Sequence, residues 1–157
     1  GDVYKRQLSV SANQDAEVLG VTFGSTCEET VQKLNKDYGT PKSQSADKLV
    51  YLNEMFEGFK ADRVELGFQD LQGTTKLNQA RFYFVCPNKA AAIAKMKSLV
   101  KKMETRYSVS YDEEDGGTAF YKGGNSPLGI GCLFTIFVSP YQGKWTCQLR
   151  YGKFQFK

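Results

Sequence analysis

Four stretches of this chain alternate apolar and polar side chains with a period of two, and that alternation limits the possible folds more than any other feature. In Arg63-Val64-Glu65-Leu66-Gly67-Phe68, the residues Val64, Leu66 and Phe68 fall on one side of an extended backbone. Ala80, Phe82 and Phe84 do the same within 79–85, Phe134, Ile136 and Val138 within 132–139, and Cys147, Leu149 and Tyr151 within 144–154. A strand built this way is wet on one face and must bury the other, so all four need a common apolar layer. A less regular strand is expected over 48–56. Two more meet across the acidic turn Asp112-Glu113-Glu114-Asp115-Gly116-Gly117, the second covering 118–122.

Two helices supply the layer. Ser25 or Thr26 can cap the first, with Glu28 or Glu29 reaching back as a capping box. Cys27, Val31, Leu34 and Tyr38 then form one stripe, and Gly39 and Pro41 end it. Pro87-Asn88 opens the second, with Ala92, Met96, Leu99, Val100, Met103 and Tyr107 as its apolar stripe and Lys97, Lys101 and Lys102 beside it. The lysines read as a solvated helix face.

The two halves repeat in order. Val31, Leu34 and Tyr38 recur as Val100, Met103 and Tyr107; the apolar sets of the two early strands recur in the last hairpin. The expected fold class is therefore α+β, two tandem helix-plus-three-strand repeats forming an antiparallel sheet with both helices on one face. Repeat one would span about 18–85 and repeat two about 86–157, within a single domain over 18–157. In the last hairpin, a turn at Pro140-Tyr141-Gln142-Gly143 would set Ser139 against Lys144, Ile136 against Cys147 and Phe134 against Leu149.

Length and composition agree with one soluble-type domain: 157 residues, 41% hydrophobic and 24% charged, with 13% aromatic residues favouring sheet. The net charge of +4 comes from 21 Lys and Arg scattered among 17 acids, without the cationic stripe of a nucleic-acid binder. No apolar run approaches the ~20 residues that span a bilayer. Cys27, Cys86, Cys132 and Cys147 are too widely spaced for a metal knuckle. Burial preference favours small core residues, with one disulfide as the alternative; Cys132 and Cys147 share a face without being opposite, which speaks against their pairing.

The opening Gly1-Asp2-Val3-Tyr4-Lys5-Arg6-Gln7 resembles the translation of a sequencing adapter, which would make this a metagenomic fragment. Residues 1–17 are accordingly expected to be an adapter-like, disordered N-terminal segment. The stretch Phe23-Gly24-Ser25-Thr26, the helix after it and Tyr38-Gly39-Thr40-Pro41 resemble the opening of hypothetical secreted proteins from gut Bacteroidetes. The helix-plus-sheet layout resembles the β-lactamase-inhibitor-protein-like fold, shared by small outer-membrane-assembly lipoproteins of the SmpA/OmlA type. The resemblance implies a periplasmic, outer-membrane-anchored or secreted protein whose signal lies upstream of the chain. It matches no functional residue.

The chain has no histidine, which removes Ser-His and Cys-His nucleophile activation, and it has no phosphate-binding glycine loop. No enzyme activity, cofactor or metal is expected. Paired carboxylates such as Glu54 and Glu57 sit near a strand end with nothing marking a cleft, and the acidic turn at 112–115 reads as a solvated hairpin tip rather than a Ca²⁺ loop. The connector Gly123 to Gly131 reads as a plain linker. What remains is a binding role. Arg81, Tyr83, Leu133, Phe137, Gln148 and Arg150 are expected on the sheet face away from the helices, as contacts for a protein or glycan at the cell envelope. The expected function is a non-catalytic secreted or cell-envelope interaction module. An outer-membrane assembly lipoprotein and a secreted enzyme inhibitor are the alternatives.

Overall fold

The computed structural model describes residues 16–113 and 119–157. Half of these residues are in strands. The elements are β1 (Glu17–Val18), β2 (Val21–Thr22), α1 (Cys27–Tyr38), β3 (Ser43–Gln44), β4 (Lys48–Phe56), β5 (Phe59–Leu71), β6 (Thr74–Cys86), α2 (Lys89–Met103), β7 (Val109–Glu113), β8 (Ala119–Gly123), β9 (Phe134–Tyr141) and β10 (Lys144–Gly152). Strands β3 to β10 make one antiparallel sheet in the order β3-β4-β5-β6-β10-β9-β8-β7, and β1-β2 is a separate small hairpin.

This overturns the expected fold class. The protein is mostly β, one eight-stranded sheet plus a two-stranded one, and not two helix-plus-three-strand repeats with both helices on one face. Each helix leads into four strands, and β5 and β6 are each 13 residues long, twice the length their alternating cores suggest. The physical reason lies in the turns. Four hairpins close through two residues with positive φ at both, at Leu19-Gly20, Glu57-Gly58, Gln72-Gly73 and Gln142-Gly143. That is the backbone of a type I′ turn, whose twist matches that of paired strands. Polar stretches outside the alternating segments therefore stay in the sheet: 70–76, for example, is the tip of the β5-β6 hairpin, where Asp70 Oδ1 accepts from the Gly73 N–H.

The tight turn at Gln142-Gly143 also resets the register of β9 and β10. Ser139 faces Thr146, Ile136 faces Leu149 and Phe134 faces Tyr151, two residues from the expected pairing. A slip of two keeps every side chain on its own face, so the expected facing survives although the partners change.

The apolar face works as the alternation predicts. Val64, Phe82, Leu149 and Ile136 form one row across four strands, and Leu66, Ala80, Tyr151 and Phe134 form the next. These residues and Leu34, Met96, Leu99, Val100 and Met103 of the helices belong to a single core. Tyr151 sits at its centre, with ring centroids 5.8 Å from Phe23, 6.1 Å from Phe82 and 5.7 Å from Phe134.

Helix α1 starts with the capping box: Glu29 N–H donates to Thr26 Oγ1, and Thr26 N–H donates to Glu29 Oε1. Asn88 Oδ1 caps α2 by accepting from the Ala91 N–H. All four thiols are free, with Cys86 and Cys147 buried. Burial pushes the Cys147 thiol up to about 12, which leaves it unreactive at neutral pH.

The C-terminal segment is locked by a bulge. The register shifts between Gly67 and Phe68, leaving Asn78 extra on β6. Asn78 is buried; its Nδ2 donates to Phe154 O, and its carbonyl accepts from the Phe154 N–H. Phe154 then packs edge-on against Phe23 at 5.0 Å. A Cβ on Gly152 would collide with the Asn78 carbonyl oxygen, and its φ of +81° adds strain to any side chain there.

Three predictions follow from this packing. Gly152→Ala should destabilise by at least about 2 kcal/mol in chemical denaturation, because neither the backbone carbonyl nor the φ can give way cheaply. Thr26→Ala should cost roughly 1 kcal/mol by removing the cap of α1. The third concerns pH. Burial holds the Tyr51 hydroxyl up at about 12 and raises Tyr38 and Tyr151 further. The folded state therefore keeps protons that the unfolded chain releases near its ordinary tyrosine value of ~10. The stabilisation is full below pH ~10 and is lost as pH rises toward 12 and beyond, so the melting temperature should fall there as tyrosinate absorbance appears.

Candidate binding face

The face turned away from the core is built by the alternate residues of the same strands. Cα partners in adjacent antiparallel strands share a face, so register alone defines its rows. The first row runs Val50, Glu65, Arg81, Arg150, Thr135, Lys122 across β4, β5, β6, β10, β9 and β8. The second runs Leu52, Arg63, Tyr83, Gln148, Phe137, Phe120 across the same strands, and Val85, Thr146 and Ser139 start a third.

Five of the six residues expected on this face are therefore side by side on the three central strands: Arg81, Tyr83, Phe137, Gln148 and Arg150. The sixth, Leu133, is not. It precedes β9, is buried in the core and packs where a Cβ on Gly124 would touch it at 2.8 Å. The strand begins one residue later than its apolar run, so parity counted from Leu133 does not apply.

The face is not an open apolar patch. It carries a hydrogen-bonded polar layer beside its rings. Arg63 Nε donates to Glu65 Oε2 at 2.6 Å, Tyr83 Oη donates to Glu65 Oε1 at 3.3 Å, and Arg81 Nη1 donates to Tyr83 Oη at 3.2 Å. Gln148 Nε2 donates to Thr146 Oγ1, whose hydroxyl donates to the Ser139 carbonyl. Tyr83 and Gln148 are 7% and 6% exposed, so they support the face more than they present it. Tyr141 contributes cover, its ring 5.6 Å from that of Tyr83. The half-buried Phe120 and Phe137 and the guanidinium of Arg150, 4.9 Å above the Phe137 ring, form the outer surface. Farther out, Lys122 Nζ lies 2.9 Å from Asp112 Oδ2, and this hydrogen bond holds the Asp112 carboxyl below its ordinary range.

Two clefts border this surface, on either side of the segment 124–133. One, of about 810 Å³, is lined by Glu17, Arg106, Ser110, Lys122 and Asn125, among others. The other, of about 310 Å³, is lined by Thr135 and Arg150 of the face together with Leu128, Ile130, Lys153 and Gln155. The segment between them is not a plain linker. Ser126 is buried, its N–H donates to Gly131 O, its carbonyl accepts from the Gly129 N–H, and its Oγ accepts from the Leu128 N–H. These bonds hold Leu128 45% and Ile130 87% exposed at the rim of the smaller cleft. Sequence reasoning missed both residues. The signal was available: two large aliphatics stand alone among Gly, Pro and Ser, where no periodicity assigns them to a core.

The other residues singled out earlier go elsewhere. Glu57 forms a 2.6 Å ion pair with Arg106, and Glu54 has its carboxyl raised by burial. Glu114 to Gly117 of the acidic turn lie outside the described residues. Among the described residues, no group of three His, Cys, Asp or Glu side chains could hold a metal, and no helix is long and apolar enough to cross a membrane. Comparison with known proteins finds no matching family model, no matching curated protein and no matching solved structure.

Proposed function

We propose that this protein is a non-catalytic interaction module of the cell envelope or of secreted material, and that it binds through the sheet face turned away from its core. One observation carries the reading: Arg150, Phe137 and Phe120 occupy neighbouring positions on β10, β9 and β8, beside a polar layer in which Glu65, Arg81, Tyr83 and Gln148 are hydrogen-bonded to groups of the same face. A surface of that kind is preorganised. Its inner groups are largely held by one another, and its outer aromatic and arginine side chains are the types that dominate binding energies at interfaces. The envelope location comes from the resemblance of the opening segment to secreted proteins.

Site-specific crosslinking tests the assignment. Benzoylphenylalanine in place of Phe137 should give discrete adducts with components of a bacterial envelope extract, whereas the same group in place of the exposed Lys97 on α2 should give none. Adducts at position 97 but not at 137 would place the binding surface elsewhere.

A further inference from the structure

The geometry points to β7 as the edge where two copies of this chain join, paired antiparallel about a two-fold axis at Tyr111. This pairing is independent of what the outer face binds. A two-fold axis normal to the sheet keeps both outer faces on the same side, so the dimer presents two of them to a repeated partner.

An open sheet has two edges, and each is a template for another strand unless something blunts it. At one end of the large sheet the edge is blunted. Beyond β4 lies only the two-residue β3, whose partners are Leu49 and Val50. The Lys42 N–H donates to the Val50 carbonyl, and the Tyr38 hydroxyl donates to the Met55 carbonyl. Asn53, with a φ of 57°, interrupts the β4-β5 ladder. The other end is different. All five residues of β7 pair with β8 without a break, and among the described residues no strand lies beyond it.

Register decides what that edge offers. The Gly124 N–H donates to the Ser108 carbonyl, so even residues of β7 turn their backbone groups to β8, and Val109, Tyr111 and Glu113 turn theirs outward. An antiparallel copy must match outward groups with outward groups, which places the two-fold axis on an odd residue. On Val109 it would leave most of the strand unpaired. On Glu113 it would set two carboxylates directly opposite each other. On Tyr111 every residue finds a partner in the second copy: Tyr111 meets Tyr111, Val109 meets Glu113, and Ser110 meets Asp112. No like charges are opposed, and the exposed Ser110 hydroxyl can donate to the Asp112 carboxylate of the second copy. The Glu113 N–H is already taken by Asp112 Oδ1, so each copy donates from Tyr111 to Tyr111 and from Val109 to Glu113. Side chains favour the same axis. Tyr111 is 54% exposed, with its ring 5.4 Å from that of Tyr121, and the join would cover two such ring pairs with each other.

Sedimentation equilibrium of the full chain over a concentration series tests the pairing. A short edge makes a small interface, so a reversible monomer–dimer equilibrium is expected. The Val109 and Tyr111 amides should gain protection from hydrogen exchange as concentration rises. Tyr111→Pro removes an outward N–H and no bond to β8, and it should abolish the dimer. Ser110→Asp sets a carboxylate opposite Asp112 on both sides of the axis and should weaken the dimer by about tenfold. Within the hairpin its partner is Lys122, so the melting temperature of Ser110→Asp should not fall. A chain that stays monomeric throughout, or a dimer unchanged in both variants, would overturn the proposal. A monomer whose Val109 and Tyr111 amides are already protected would do the same, since the edge would then be covered from within the chain. A dimer lost in Tyr111→Pro but indifferent to Ser110→Asp would overturn the two-fold at Tyr111.

Discussion

The pairing of β6 with β10 joins the first four strands of the large sheet to the last four, and it fixes both faces at once. Its register sets Phe84, Phe82 and Ala80 against Cys147, Leu149 and Tyr151 on the inner side, and thereby Tyr83 against Gln148 and Arg81 against Arg150 on the outer side. A shift by one residue would bury the arginines and expose Tyr151, so the core selects the pairing that brings the two positive charges together. Hydrophobic burial and outer-face chemistry are therefore one constraint. The opposition of Arg81 and Arg150 follows from the register that the aromatic cluster around Tyr151 demands, a cluster that ties Phe23 and, through it, Phe154 to both halves of the sheet.

Facing was legible in the sequence; connectivity was not. Period-two alternation placed Val64, Leu66, Phe82, Ile136 and Leu149 on the core side because burial depends on parity alone. Helix signals were equally local: Thr26 with Glu29 and Asn88 with Ala91 act within one turn of backbone. Strand length and partner choice depend on turn geometry, which parity cannot report. The four hairpin turns use Leu, Glu, Gln and Gln before Gly in place of the Asn or Asp that usually marks such a turn. The dipeptides were visible, but their first residues carry no strong preference for positive φ. Counting strands from alternation alone therefore gave two repeats of three strands where the large sheet has eight.

The outer face was readable in the same partial way. Five of its six expected residues followed from parity, and Leu133 failed because it lies just outside the strand whose parity it was assigned. The rim built by Leu128 and Ile130 depends on hydrogen bonds within the segment 124–133, centred on the buried Ser126. No periodic pattern encodes them. Irregular segments carry their information in specific turns and caps, so the exposure of Leu128 and Ile130 lay beyond what periodicity reaches.

The seam between β6 and β10 also bears on how the chain reaches its fold. The β5-β6 and β9-β10 hairpins each close through a two-residue turn, so they can form early and independently. Residues 79–86 must then find 145–152 across the whole of α2, β7, β8 and β9, a search whose entropy only the completed core repays. Until it ends, each hairpin presents a bare strand edge with an apolar side, and the matching edge on a second chain is as good a partner as its own. At high concentration during synthesis, the half of one molecule that completes another becomes the natural kinetic competitor of the monomer, an exchange of halves encoded by the same register that builds the sheet.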